Sequence, residues 1–167
     1  MNTDAAQDAV VASVAALAPL FAASFRDPWW LIGSTAMHLS GETDIVPGDI
    51  DVLTSERDVD AFVARHGDLL QREHQPADDA RFRSRFARLR FSPLPVELMG
   101  GLQVWRDGTW TPVRVESTLV VDCQGHAVQV PTLAEQLRLF EWFGRAKDLD
   151  KARRLRDRIH AGDLHVA

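Results

Sequence analysis

The chain has 167 residues, 46% of them hydrophobic and 26% charged, the balance of a soluble globular protein built on one core. Its formal net charge of −5 argues against a general duplex-DNA binder, which needs a basic surface. The single cysteine, Cys123, excludes an internal disulfide and a cysteine-built zinc site, and a reducing compartment is the expectation.

The six histidines form no HxH or HxxxH pair. The apolar stretch from Val10 to Phe25 follows two acidic residues, Asp4 and Asp8, where a leader peptide would carry basic ones. It is too short and too interrupted to span a bilayer, so a cytoplasmic protein without membrane contact is expected.

Residues 5–25 have a helical period and run up to Asp27-Pro28; proline restricts the residue before it, so this helix should end near Arg26. Trp29 to Ile32 is a short apolar run fit for a buried strand. Gly33-Ser34 makes a turn, Thr35 to Leu39 starts a helix, and Gly41 to Gly48 is loop chemistry ending in Pro47-Gly48. Asp49 to Leu53 alternates polar and apolar residues as a strand does. A helix over about 58–70 follows, with Val59, Phe62, Val63 and Leu69-Leu70 as its apolar stripe.

In the segment "RFRSRFARLRF", Ala87, Leu89 and Phe91 share one strand face while Arg88 and Arg90 share the other. Val96 to Met99 is a further strand, closed by Gly100-Gly101. Thr111 to Val121 and His126 to Val130 read as two more, joined by a turn at Asp122 to Gly125. Thr132 and Glu135 form a capping box that opens a helix running to about Phe143, where Gly144 suits a left-handed end. A last helix begins near Asp148, with Leu149, Ala152, Leu155 and Ile159 at helical spacing. The expected fold is therefore α/β (α+β): a small mixed sheet, helices packed on one side, and C-terminal helices closing a cleft. One domain is expected over 1–167, comprising an N-terminal helix (1–26), a core (27–130) and a C-terminal helical part (131–167).

Residues i and i+2 of a strand point the same way, so Asp49 and Asp51 share a face, their Cα atoms roughly 6.5–7 Å apart, with Ile50 and Val52 opposite. Like charges that close repel, and two carboxylates at that reach can jointly hold Mg²⁺ or Mn²⁺, the cations that hard oxygen ligands suit. The Gly33-Ser34 turn at a helix start offers backbone N–H groups, a hydroxyl and a favourable dipole for phosphate. A phosphate cradle beside metal-binding carboxylates is the equipment for phosphoryl or nucleotidyl transfer. Other catalytic signatures are absent: the sequence holds no GxxxxGKS-type loop, GxGxxG, GxSxG or HExxH.

A hydrophobic strand, Gly33-Ser34, a spacer and Asp49-Ile50-Asp51 together resemble the signature of the polymerase-β-like nucleotidyltransferase superfamily. That resemblance implies a third carboxylate on a later strand, and Glu97 in "LPVELMGG" matches it, where the superfamily usually has Asp. The role it implies for Glu97 is either ligand of a second metal or base toward the acceptor. The segment Gly144 to Leu149 is similar to the Arg-x-Lys-Asp segment of small bacterial members, among them abortive-infection toxins and antibiotic nucleotidyltransferases. In that likeness Lys147 meets the triphosphate and Asp148 supports the site.

The resemblance implies an enzyme that moves an NMP from an NTP to a hydroxyl with Mg²⁺ or Mn²⁺ and releases pyrophosphate. Its acceptor is a small molecule, a tRNA or a protein. The alternative is a nucleotidyltransferase-like protein that binds a nucleotide or partner without turnover.

Several of these residues also carry plainer readings. Ser34 suits a helix N-cap, and Asp148 suits the same role for the last helix. The arginines at 81, 83, 85, 88 and 90 are either an exposed strand that resists edge pairing or a groove for an anion. His38 stands either on an exposed helix face or one turn after Ser34 toward the cleft.

Overall fold

The computed structural model of the chain describes residues 3–74 and 80–163. Five strands form a mixed sheet: β1 (Trp30–Leu31), β2 (Ile50–Thr54), β3 (Phe82–Leu89), β4 (Val96–Arg106) and β5 (Thr109–Pro112). The order is β1-β2-β4-β3, with β5 pairing β4 on the edge opposite β3, beyond the end of β2. β2 and β4 run parallel and every other pairing is antiparallel. A separate hairpin joins β6 (Thr118–Cys123) to β7 (His126–Pro131). The helices are α1 (Thr3–Ser24), α2 (Gly33–Leu39), α3 (Glu56–His66), α4 (Leu133–Phe143) and α5 (Ala146–Asp163).

Strand alternation divides the sheet into two faces. Ile50, Val52, Ala87, Leu89, Val96 and Leu98 are buried against Val10, Val14, Leu17 and Phe21 of α1 and Val59 and Phe62 of α3. The intervening residues Asp51, Phe86, Arg88, Glu97 and Met99 face a cleft on the other side. That side is closed by α2, α4 and α5, through a second cluster in which Ile32, Met37, Leu53, Leu102 and Val104 meet Leu139, Phe140, Phe143, Ala152 and Leu155. This is the expected mixed sheet with a C-terminal helical pair over a cleft.

Most expected elements are present, with boundaries shifted for identifiable reasons. α1 ends at Ser24, and the amides of Arg26 and Asp27 donate to the buried carboxylate of Asp58, fixing the entry to β1. α3 starts at Glu56 because Ser55 caps it, its hydroxyl accepting from the Asp58 amide. β4 does not close at Gly100-Gly101. It continues to Arg106 through a bulge, the register passing from Arg85↔Gly100 to Arg83↔Gln103, with Gly101 at φ +60°.

The single strand expected over 111–121 is two strands. β5 turns back on β4 through Asp107-Gly108, both at positive φ, and β6 starts only at Thr118. Half of the expected capping box is present: Thr132 accepts from the Glu135 amide, but the Thr132 amide donates to the Ser117 carbonyl. The Glu135 carboxylate turns instead to Arg138 and the Glu116 amide. Gly144 ends α4 in the left-handed region at φ +69°. α5 begins at Ala146, so Asp148 lies inside its first turn. Among the described residues no helix is long and apolar enough to cross a membrane.

Candidate active site

The antiparallel register Leu31↔Val52 brings the chain leaving β1 beside Asp51; the amide of Ile32 donates to the Asp51 carbonyl at 3.0 Å. α2 follows at once, and Thr35 Oγ1 donates to the Asp49 carbonyl at 3.1 Å, tying helix to strand. Across the sheet, β2 and β4 pair Asp51 with Glu97, and β4 and β3 pair Glu97 with Arg88. One row perpendicular to the strands therefore reads Asp51, Glu97, Arg88, with Asp49 at the entry to β2.

These residues line a cleft of about 610 Å³. Asp49, Asp51, Glu97, Gly33, Ser34, Lys147 and Asp148, the residues singled out from the sequence, all border it. Phe82, Phe86, Met99, Phe140 and Phe143 supply its apolar walls, and Lys147 and Lys151 of α5 contribute cations.

Charge within the cleft is unevenly compensated. The Asp51 carboxyl is pushed up to about 7, first by burial and then by the charges of Asp49 and Glu97, with Lys151 and Lys147 only partly opposing. Arg88 serves the other two acids: its Nη1 donates to Asp49 Oδ2 at 3.0 Å and also to Glu97 Oε1. Arg88 Nε donates to Gln71 Oε1 at 3.0 Å. His74 Nε2 stands 3.3 Å from the same Glu97 oxygen, its ring stacked on Phe86. Burial holds the Lys151 ammonium below the usual lysine range, against the pull of Asp51 and Asp148.

Some expectations take a different form here. Ser34 is not an N-cap; Ile32 holds that position without a side-chain bond, and Ser34 sits within the first turn of α2 facing the cleft. Asp148 borders the cleft but is buried and bound to Arg145, accepting from its amide, Nε and Nη2. It is therefore not the N-cap of α5 but a first-turn residue whose side chain reaches back to the amide before the helix. His38 takes neither expected position: it is buried, with Nδ1 2.9 Å from the Ile45 carbonyl oxygen, and does not border the cleft.

The arginine block divides between two roles. Arg83 and Arg88 reach the cleft, while Arg85 pairs with Asp60 of α3 and Arg81 donates to the Phe143 carbonyl. His74, Gln71 and Lys151 belong to the site and were not singled out from the sequence. Among the described residues no three acidic, cysteine or histidine side chains form a ready-made metal cage.

No family model matches the sequence, and no curated protein matches it. Solved structures do. A Thermotoga maritima protein assigned as a nucleotidyltransferase superposes with a TM-score of 0.66 at 22% identity, over 89% of this chain and 91% of that one. The solution structure of the antibiotic-resistance factor ANT(2'')-Ia matches with a TM-score of 0.53 at 14% identity, over 99% of this chain and 90% of its own. The crystal structure of ANT(2'')-Ia with adenylyl-2''-tobramycin gives 0.53 at 13% identity, over 93% and 92%. The chain shares the fold of these nucleotidyltransferase structures.

Proposed function

We propose that the protein is a metal-dependent nucleotidyltransferase that moves an NMP from an NTP to an acceptor hydroxyl and releases pyrophosphate. The observation that carries this reading is the convergence of Asp49, Asp51 and Glu97 from two parallel-paired segments on a cleft that also exposes Gly33, Ser34, Lys147 and Lys151. A neighbour of the same fold is solved with adenylyl-2''-tobramycin, a nucleotidylated acceptor.

The donor set fits a hard divalent cation. Asp49 and Asp51 offer carboxylate oxygens, and the raised Asp51 carboxyl marks a place short of positive charge. Mg²⁺ commonly rests on one or two carboxylates and completes its shell with phosphates and water. When bound, it polarises phosphoryl oxygens and offsets the charge that develops on them. Asp49 and Asp51 would hold it; the Gly33-Ser34 turn and the two lysines would orient the terminal phosphates. The apolar walls of Phe82, Phe86, Met99, Phe140 and Phe143 would limit the water beside the reacting phosphorus.

Labelled NTP with Mg²⁺, incubated with cell extract split into RNA, protein and small-molecule fractions, tests the reading. Label should move to one fraction with release of pyrophosphate, and Asp49→Asn should abolish the transfer. No transfer to any fraction, or transfer by Asp49→Asn at the wild-type rate, overturns it.

The Arg88 bridge between Asp49 and Glu97 favours a second reading, in which the fold binds a nucleotide or a partner without turnover. Calorimetric binding of Mg-NTP without any pyrophosphate release would establish that alternative.

A further inference from the structure

Glu97 stands where the superfamily usually carries the third acid, yet its carboxylate is engaged by protein cations. Oε1 takes Arg88 Nη1 and lies 3.3 Å from His74 Nε2. Arg88 is the direct cross-strand partner of Glu97, so the sheet register builds this ion pair in. The guanidinium is held from a second side by Gln71, whose amide in turn donates to the Arg88 carbonyl at 2.8 Å. Its remaining reach is to Asp49 Oδ2. Both Arg88 and Glu97 are only 18% exposed at the side chain, which limits their freedom to swing apart.

We propose that Glu97 is a positioning residue rather than a metal ligand: it fixes Arg88, Arg88 fixes the Asp49 carboxylate, and the cation rests on Asp49 and Asp51 alone. The proposal rests on the nucleotidyltransferase reading for the presence of the cation. Carboxylates that ligate metals are themselves held by outer hydrogen bonds, and loss of such a partner typically weakens metal binding about 10–100-fold. Glutamate suits this role here. Its carboxylate reaches both the Arg88 guanidinium and the His74 ring across the strand gap.

The test is Mn²⁺ binding, followed by electron paramagnetic resonance, to the full chain with a non-hydrolysable ATP analogue. It needs no turnover, so it stays informative if the transfer reaction fails. A positioning role predicts that Glu97→Gln and Arg88→Met each weaken binding about tenfold, with the number of ions bound unchanged. Because both break one link, the double variant should be no worse than either single one. Gln71→Ala, which loosens Arg88 without removing a charge, should weaken binding in the same direction and covers the case of a poorly folding Arg88→Met. Direct ligation by Glu97 predicts the opposite pattern. Arg88→Met would then tighten Mn²⁺ binding by removing a competing cation, and Glu97→Gln would lower the number of ions bound. Either result overturns the proposal, as does a wild-type protein that binds no Mn²⁺ with the nucleotide present.

Discussion

A Cβ on residue 33 would stand 2.5 Å from Oδ2 of Asp51, and Gly33 also holds φ at +65°. Two separate constraints therefore ask for glycine: left-handed backbone, which costs an L residue about 1–2 kcal/mol, and space for a carboxylate. The carboxylate is the end of a side chain and can rotate away, so the steric conflict falls on the site more than on the fold. Gly33→Ala should lower the melting temperature by only a few degrees while cutting nucleotide transfer by about a hundredfold. Melting curves and labelled-NTP transfer on the same preparation check it; an alanine variant with wild-type transfer would show that Asp51 does not need this contact.

Asp51 makes the metal-free protein sensitive to pH. Its folded carboxyl titrates at about 7 against 3.8 for the free side chain, chiefly through burial and then through Asp49 and Glu97. Between those values the folded chain keeps a proton that the unfolded chain has released. Stability must then fall as pH rises from about 4 to about 7, and the loss persists above that window. In chelator at pH 8, Asp51→Asn should be more stable than wild type by on the order of 1–3 kcal/mol, and the gain should vanish near pH 4. Denaturant melts across that range measure it. Equal stability of the two proteins at pH 8 would mean the carboxylate is better solvated than its surroundings suggest.

Much of this site was legible from local spacing, and the rest depended on pairings that spacing does not encode. Asp49 and Asp51 are two residues apart on one strand, and Gly33-Ser34 is a local turn, so periodicity alone assigns them a face. The choice of Arg88 from five nearby arginines depends on the β3–β4 register, in which Glu97 lies opposite it. That register holds from Leu89↔Val96 to Arg85↔Gly100, and only beyond it does a bulge at Gly101 shift the pairing, at a glycine pair that reads as a strand end because glycines often interrupt strands. The β4–β5 turn did have a local signal, the Asp107-Gly108 dipeptide, whose two positive φ angles form a tight hairpin. His38 resisted assignment because a buried histidine satisfied by the Ile45 carbonyl looks, in sequence, like an exposed one.

Glu135 ties the first turn of α4 to the segment before β6. Its carboxylate accepts from Arg138 Nε at 2.8 Å and Nη2 at 2.7 Å, and from the Glu116 amide at 2.7 Å. Arg138 first, and the Glu116 amide after it, hold the carboxyl below the usual glutamate range despite burial. A depressed carboxyl stabilises the fold above its unfolded titration point, and that stability is lost as pH falls through the folded one. Glu135→Gln should therefore cost about 1.5–3 kcal/mol at pH 7, the worth of hydrogen bonds to a charged group. The difference from wild type should shrink as pH falls below the ordinary glutamate range and wild type takes up its proton. Paired thermal melts at pH 7 and pH 3.5 decide it; a gap that stays constant would assign the effect to packing alone.

Lys151 borders the cleft one helical turn after Lys147, on the same face of α5. The helix reads most readily by its apolar positions, among which Ala152 and Leu155 are buried, and that pattern says nothing about the lysine between Leu149 and Ala152. Its ammonium stands 5.4 Å from the Phe140 ring centroid and is held below the usual range first by burial, with Asp51 and Asp148 pulling it back up. A partly desolvated cation facing a triphosphate interacts more strongly than an exposed one, because water screens it less. Lys151→Met should weaken Mg-NTP binding about tenfold, more than Lys147→Met does, and Lys151→Arg should restore much of it. Both losses should shrink in high salt, with the Lys147 effect fading first. Calorimetry with a non-hydrolysable NTP at two ionic strengths reads all three variants. Equal affinities for Lys151→Met and wild type would remove Lys151 from the phosphate-binding wall and leave it as a counter-charge to Asp51.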